Sequence, residues 1–100
     1  MLIVDGVHVT SLPEESITLL HANIGALGEG ENTMLELCEQ YFQYGKIKFP
    51  NDISGIIYRS ADGKFHRTKQ REFIENLDVL PYPSRHLFDF ERYLCPPGVI

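Results

Sequence analysis

The chain has 100 residues, a formal net charge of −5 and a pI near 5.2, with 43% hydrophobic and 11% aromatic residues. That is the size of one domain or a piece of one, with enough apolar material for a modest core and too much for a disordered chain. The acidic balance excludes the basic footprint of a nucleic-acid binder, and no apolar run approaches the ~20 residues of a membrane span. The few basic residues between Arg59 and Arg71 are interleaved with Asp62 and Glu72 and read as a solvated face. Cys38 and Cys95 form neither a disulfide framework nor a zinc spacing, and the start lacks the positive flank of a signal peptide, so a cytoplasmic protein is expected.

In chain order, Leu2-Ile3-Val4 reads as a short strand covered on both faces, ended by Asp5-Gly6. Residues 7–12 read as a loop. Pro13-Glu14-Glu15 is a helix start, with Ile17, Leu20 and Leu12 assigned to the buried side and an end near His21. A second strand spans residues 23–27 and enters the turn Gly28-Glu29-Gly30-Glu31. A second helix is expected over residues 31–44. Met34, Leu37, Cys38 and Tyr41 form its apolar face, Leu35 and Phe42 widen it, and Gly45 stops it. Cys38 is expected as a buried thiol. Glu29 and Glu31 suit the positive end of that helix dipole.

Residues 53–68 read as a β-hairpin around an Asp62-Gly63 two-residue turn, with Ile56, Tyr58 and Phe65 on one face and His66 opposite Arg59. From Lys69 the chain turns polar. Residues 77–83 form a proline-stiffened extended segment, and Ser84 is placed as the cap of a short helix through Leu87, Phe90 and Leu94. Cys95-Pro96-Pro97-Gly98 ends that helix, and Val99-Ile100 begins another apolar run.

The order β-α-β-α-β-β defines an α/β fold with a parallel sheet over its first half. Right-handed crossovers place the first two strands side by side or nearly so, so Asp5-Gly6-Val7-His8 and Gly28-Glu29-Gly30-Glu31 share the C-terminal edge of the sheet, where ligands of open α/β sheets sit. Exposed helix N–H groups and glycines suit close approach to a ligand there. His21 and His86 have no second ligand at i+4, and no nucleophile–base pair stands out, so no metal site or catalytic group is assigned.

Four ordered stretches carry a resemblance. Asp5-Gly6-Val7-His8-Val9-Thr10-Ser11-Leu12-Pro13-Glu14-Glu15 resembles the G-G-x-H-x-T-x-x-P-E-E stretch of the cobalamin-binding domain of cobalamin-dependent radical SAM enzymes. Gly28-Glu29-Gly30-Glu31-Asn32-Thr33 resembles that family's G-E-G-E-x-T turn. Ile53-Ser54-Gly55-Ile56-Ile57-Tyr58-Arg59 resembles its I-x-G-x-x-Y-R strand. Leu77-Asp78-Val79-Leu80-Pro81-Tyr82-Pro83-Ser84-Arg85 resembles the L-D-x-L-P-x-P-x-R linker before the catalytic barrel. Asp5 departs from the pattern, standing where the family usually has glycine.

The resemblance implies the C-terminal half of a Rossmann-like cobalamin domain with its hairpin over residues 1–68, and a linker with a short helix over 69–100. Asp5, Gly6, Val7, His8, Gly28, Glu29, Gly30 and Glu31 are the implied cobalamin contacts. The earlier half-domain is expected before Met1. A barrel binding an iron–sulfur cluster and S-adenosylmethionine is expected after Ile100, in an enzyme of the methyltransferase or oxidative-cyclase type. Its C-x-x-x-C-x-x-C motif is not among these residues, so the chain alone is not expected to be catalytic. The alternative is a stand-alone α/β binding or interaction module without cofactor. The implied partners are cobalamin and the other domains of the parent chain. Loss of neighbours beside the first strand adds an open sheet edge, expected either to pair with a second copy or to be poorly ordered.

Overall fold

The computed structural model describes residues 1–94; the readings made for Cys95 and residues 96–100 lie outside the described residues. The core is an α/β unit with one four-stranded sheet in the order β1-β2-β3-β4. Strands β1 (Ile3–Val4) and β2 (Ile24–Ala26) pair in parallel, Ile3 beside Ile24 and Val4 beside Gly25. Strands β3 (Ile56–Arg59) and β4 (Phe65–Arg67) continue the sheet antiparallel, so the hairpin joins the parallel pair directly through β2. The expected α/β fold with side-by-side first strands is present, and β1 is an edge strand.

Alternation of side chains along the strands divides the core into two layers. On one face Ile24, Ile53 and Ile56 pack with Leu37 of helix α3 (Glu31–Tyr44), joined by Ile3, Met34, Ile47 and Tyr58. On the other, Ile57 packs with Ile17 and Ala22, joined by Val4, Leu27 and Phe65. Ile17 belongs to α2 (Pro13–Leu20), which begins with proline at its first turn and ends with His21 in the left-handed conformation. Gly25 faces this second layer, where the Val9 and Ile17 side chains close over its Cα.

Several expectations are corrected, beginning with the helices. Val7–Ser11 is a short helix, α1, rather than a loop, and buried Val9 is what it contributes to the core. On α2, Leu12 and Leu20 are exposed; Pro13, Ser16 and Ile17 form the buried side, and the Ser16 hydroxyl is satisfied by donating to the Leu12 carbonyl at 2.7 Å. On α3 the buried stripe is Thr33 and Leu37, flanked by half-buried Met34, Glu36 and Gln40. Cys38 is a free, exposed thiol; Tyr41 and Leu35 are exposed, and Phe42 is 89% exposed. The face is rotated because the helix docks through Thr33, whose hydroxyl reaches the Ser54 carbonyl at 3.3 Å. Gly45 ends the helix in the left-handed region, as expected (φ 69°).

The hairpin loop is one residue longer than the assumed two. Ser60 pairs with Lys64, and Gly63 adopts φ 82° while its N–H donates to the Ser60 carbonyl. His66 therefore lies opposite Tyr58, not Arg59, and stacks on it at 5.4 Å between ring centroids. Phe65 pairs with Arg59 and joins the layer opposite Tyr58, because a one-residue shift of register inverts every side chain. The Asp62 carboxylate accepts from the Ser60 hydroxyl and from the Lys64 N–H, which holds its pKa below the ordinary 3.8.

Beyond Ile74, residues 77–79, 85–87 and 90–93 form single 3₁₀ turns. The helix expected from Ser84 is thus two turns of 3₁₀ character, and Ser84 makes no side-chain cap. This part of the chain is exposed nearly throughout.

Candidate functional site

The C-terminal ends of β1 and β2 bring the two glycine-containing segments together. Gly6 leaves β1 at φ 122° and opens α1. Gly28 leaves β2 at φ 75°, and Gly30 caps the start of α3. Thr10 of α1 joins them. Its hydroxyl accepts the Gly28 N–H at 3.0 Å and donates to the Gly6 carbonyl at 3.0 Å. A Cβ added at Gly6 or Gly28 would meet nothing within 4 Å, so both Cα faces are open to an approaching group.

At Gly30 the opposite holds. A Cβ there would lie 2.5 Å from Asp5 Oδ2 and 3.0 Å from Asp5 Cγ. The carboxylate is packed across the glycine, and Asp5 Oδ1 accepts the Gly6 N–H at 2.7 Å. Asp5 thus packs against the second segment at Gly30, while Thr10 is hydrogen-bonded to both segments. Val7 and His8 are exposed in the first turn of α1, and the His8 carbonyl caps α1 by accepting the Leu12 N–H at 2.8 Å. Glu31 is exposed at the first position of α3. Glu29 is half-buried, and its Oε2 accepts the Ile74 N–H at 2.8 Å.

All eight sequence-derived positions therefore lie in the two segments joined at this edge. Asp5 and Glu29 are engaged within the protein. Gly6 and Gly28 present open backbone. The edge carries Asp5, Glu29 and Glu31 against the single imidazole of His8, which is an acceptor-rich surface suited to a ligand bearing N–H or O–H donors. A groove of about 770 Å³ begins at Glu31 and Asn32 and runs between Leu35 and the Leu77–Pro83 segment. Among the described residues no cluster of three His, Cys, Asp or Glu side chains is set to hold a metal ion, and no helix is long and apolar enough to cross a membrane.

Sequence reasoning missed Thr10, Thr33 and Arg71. Thr10 lies in the H-x-T run, but its bridging role depends on α1 being helical. Arg71 was grouped with a solvated face. Its side chain is only 17% exposed and forms a two-pronged pair with Glu36, at 3.1 and 2.7 Å. It also donates to Thr33 Oγ1 at 2.9 Å and to the Ser54 carbonyl at 3.2 Å. No local pattern marks this arginine, because its partners lie 17 to 38 residues away.

The chain is similar to an uncharacterised methyltransferase of Pyrococcus horikoshii, 30% identical over 102 aligned residues. The alignment covers 98% of this chain and 21% of the relative, so the chain spans about a fifth of that protein's length. No protein-family profile matches it, and no solved structure does.

Proposed function

We propose that this chain is the part of a cobalamin-dependent methyltransferase, of the radical SAM type, that forms one wall of the cobalamin site and leads toward the catalytic barrel. The observation that carries the reading is the bridge from the Gly28 N–H to Thr10 Oγ1, which sets two glycine segments with open Cα faces on one sheet edge. The four ordered motifs and the similarity to a methyltransferase over nearly the whole chain support it. The residues present fit such a group by their backbone. Gly6 and Gly28 admit close approach, and Glu31 and His8 offer an acceptor and an imidazole at the rim. Asp5 narrows the site at Gly30.

When bound, cobalamin supplies a cobalt centre that carries the methyl group. This chain's own residues bind and orient. The turn at Gly28 would face the ligand, Thr10 holds that turn through the Gly28 N–H, Asp5 packs across Gly30, and the groove beyond Glu31 would take an apolar group. S-adenosylmethionine and the iron–sulfur cluster belong to the rest of the parent enzyme in this reading.

Hydroxocobalamin titrated into the isotopically labelled chain tests it. The expected result is a visible-spectrum change together with amide shifts confined to residues 5–10 and 28–32. A folded protein with no shift at those positions under saturating cobalamin refutes the reading and favours a cofactor-free interaction module.

A further inference from the structure

The segment after β4 doubles back over the end of the sheet and is fastened there. The Lys69 carbonyl accepts the Gly55 N–H at 2.8 Å, and Gly55 in turn accepts the Leu27 N–H at 2.8 Å, one residue before the Gly28 turn. Arg71 then makes its four hydrogen bonds to Thr33, Glu36 and Ser54. Finally the Ile74 N–H donates to Glu29 Oε2 at 2.8 Å. The first two attachments are to the scaffold. The third is to the glycine turn itself.

We propose that residues 69–74 are a strap latched by Glu29, so that occupancy of the Gly28–Glu31 turn and the path of the chain beyond Ile74 are coupled. The ligand side of this coupling rests on the reading of the turn as a ligand contact. Glu29 stands between two glycines, one at φ 75° with open space at its Cα and one with the Asp5 carboxylate across it. A ligand that reorients this turn carries the Glu29 side chain with it. A ligand donor that approaches Glu29 Oε2 also competes with the Ile74 amide for that oxygen. Arg71, with four bonds and little exposure, stays in place, so the single Glu29 latch gives way first. Release at Ile74 frees the segment that walls the Leu35 groove, and ligand binding is thereby transmitted along the chain.

Amide hydrogen exchange tests the latch without any ligand. Ile74 is expected to be protected, and Glu29→Ala to accelerate its exchange roughly tenfold or more, as loss of a hydrogen bond to a charged acceptor implies. Gly55 and Leu37 amides serve as controls and are expected to stay slow. Glu29→Gln keeps an acceptor and loses the charge, so an intermediate acceleration is expected; it carries the test if Glu29→Ala unfolds the chain. With hydroxocobalamin, Ile74 exchange is expected to quicken in the wild type and to change no further in Glu29→Ala. Unchanged Ile74 exchange in both variants overturns the latch. Cobalamin-induced shifts at residues 28–31 with Ile74 exchange unaltered overturn the coupling while leaving the cofactor reading intact. If cobalamin shifts nothing, the cofactor reading falls, and the two variants alone decide the latch.

Discussion

Substitution of Gly25 by alanine is a sharp test of how the two layers meet. Gly25 sits in the middle of β2, paired in parallel with Val4 and antiparallel with Ile57. A Cβ there would lie 2.9 Å from Ile57 Cγ2, 3.0 Å from Val9 Cγ1 and 3.6 Å from Ile17 Cδ1. Ile57 is fully buried and β-branched, and its backbone is held between two strands, so it has no free rotamer to retreat to. Overpacking of this kind costs about 1–3 kcal/mol. The reduced entropy of the unfolded chain returns about 0.4–1 kcal/mol. The net expectation is a loss of about 1–2 kcal/mol, or a Tm lower by about 5–15 °C for a domain this size. Thermal and urea unfolding followed by circular dichroism measure it. In a Val9→Ala background one of the two tight contacts is gone, and the cost of Gly25→Ala is expected to shrink by about 0.5 kcal/mol or more. A neutral or stabilising Gly25→Ala would refute the tight packing of Ile57 and Val9 against Gly25.

Leu37→Ala is expected to cost about 2–5 kcal/mol in urea unfolding, because Leu37 is 1% exposed at the centre of its cluster. Phe42→Ala, from the face that sequence periodicity places in the core, should change stability by no more than about 0.5 kcal/mol. Arg71→Ala should destabilise by about 2–4 kcal/mol and Arg71→Lys nearly as much, since lysine cannot reproduce the two-pronged pairing with Glu36; equal stability of wild type and lysine variant contradicts the geometry. Asp62 has a lowered folded-state pKa, so its contribution to the hairpin is present above the ordinary carboxylate value and fades as pH falls through the folded one. The Lys64 amide shift should follow that acid titration and lose it in Asp62→Asn. For the isolated 100-residue chain, the β1 edge is expected either to pair with a second copy or to fray; a monomer by light scattering together with a slowly exchanging Val4 amide contradicts both.

Much of the architecture was legible locally. The Gly45 stop, the span of α3 and the Pro13 helix start each follow from a few adjacent residues, and the parallel pairing of the first two strands follows from the β-α-β order. The two glycine segments could be placed at one sheet edge from topology alone. What misled was periodicity taken without its partner surface. Apolar residues occur on two sides of α3, and composition along a helix does not say which side docks.

The sequence by itself determined the four strands, the two longer helices and their order, because caps, turns and periodicity act within a few residues; it did not mark α1, which reads as a loop, or reduce the segment after Ser84 to 3₁₀ turns. Tertiary structure alone decided the rest. It turned α3 onto Thr33 and Leu37, because the Ser54 carbonyl and the Arg71 guanidinium meet the Thr33 hydroxyl there. It set the hairpin register through a third loop residue, placing His66 on Tyr58. It gave Glu29 the Ile74 amide, 45 residues away, as partner. Such contacts join groups far apart in the chain, and only the packed fold brings them within hydrogen-bonding distance.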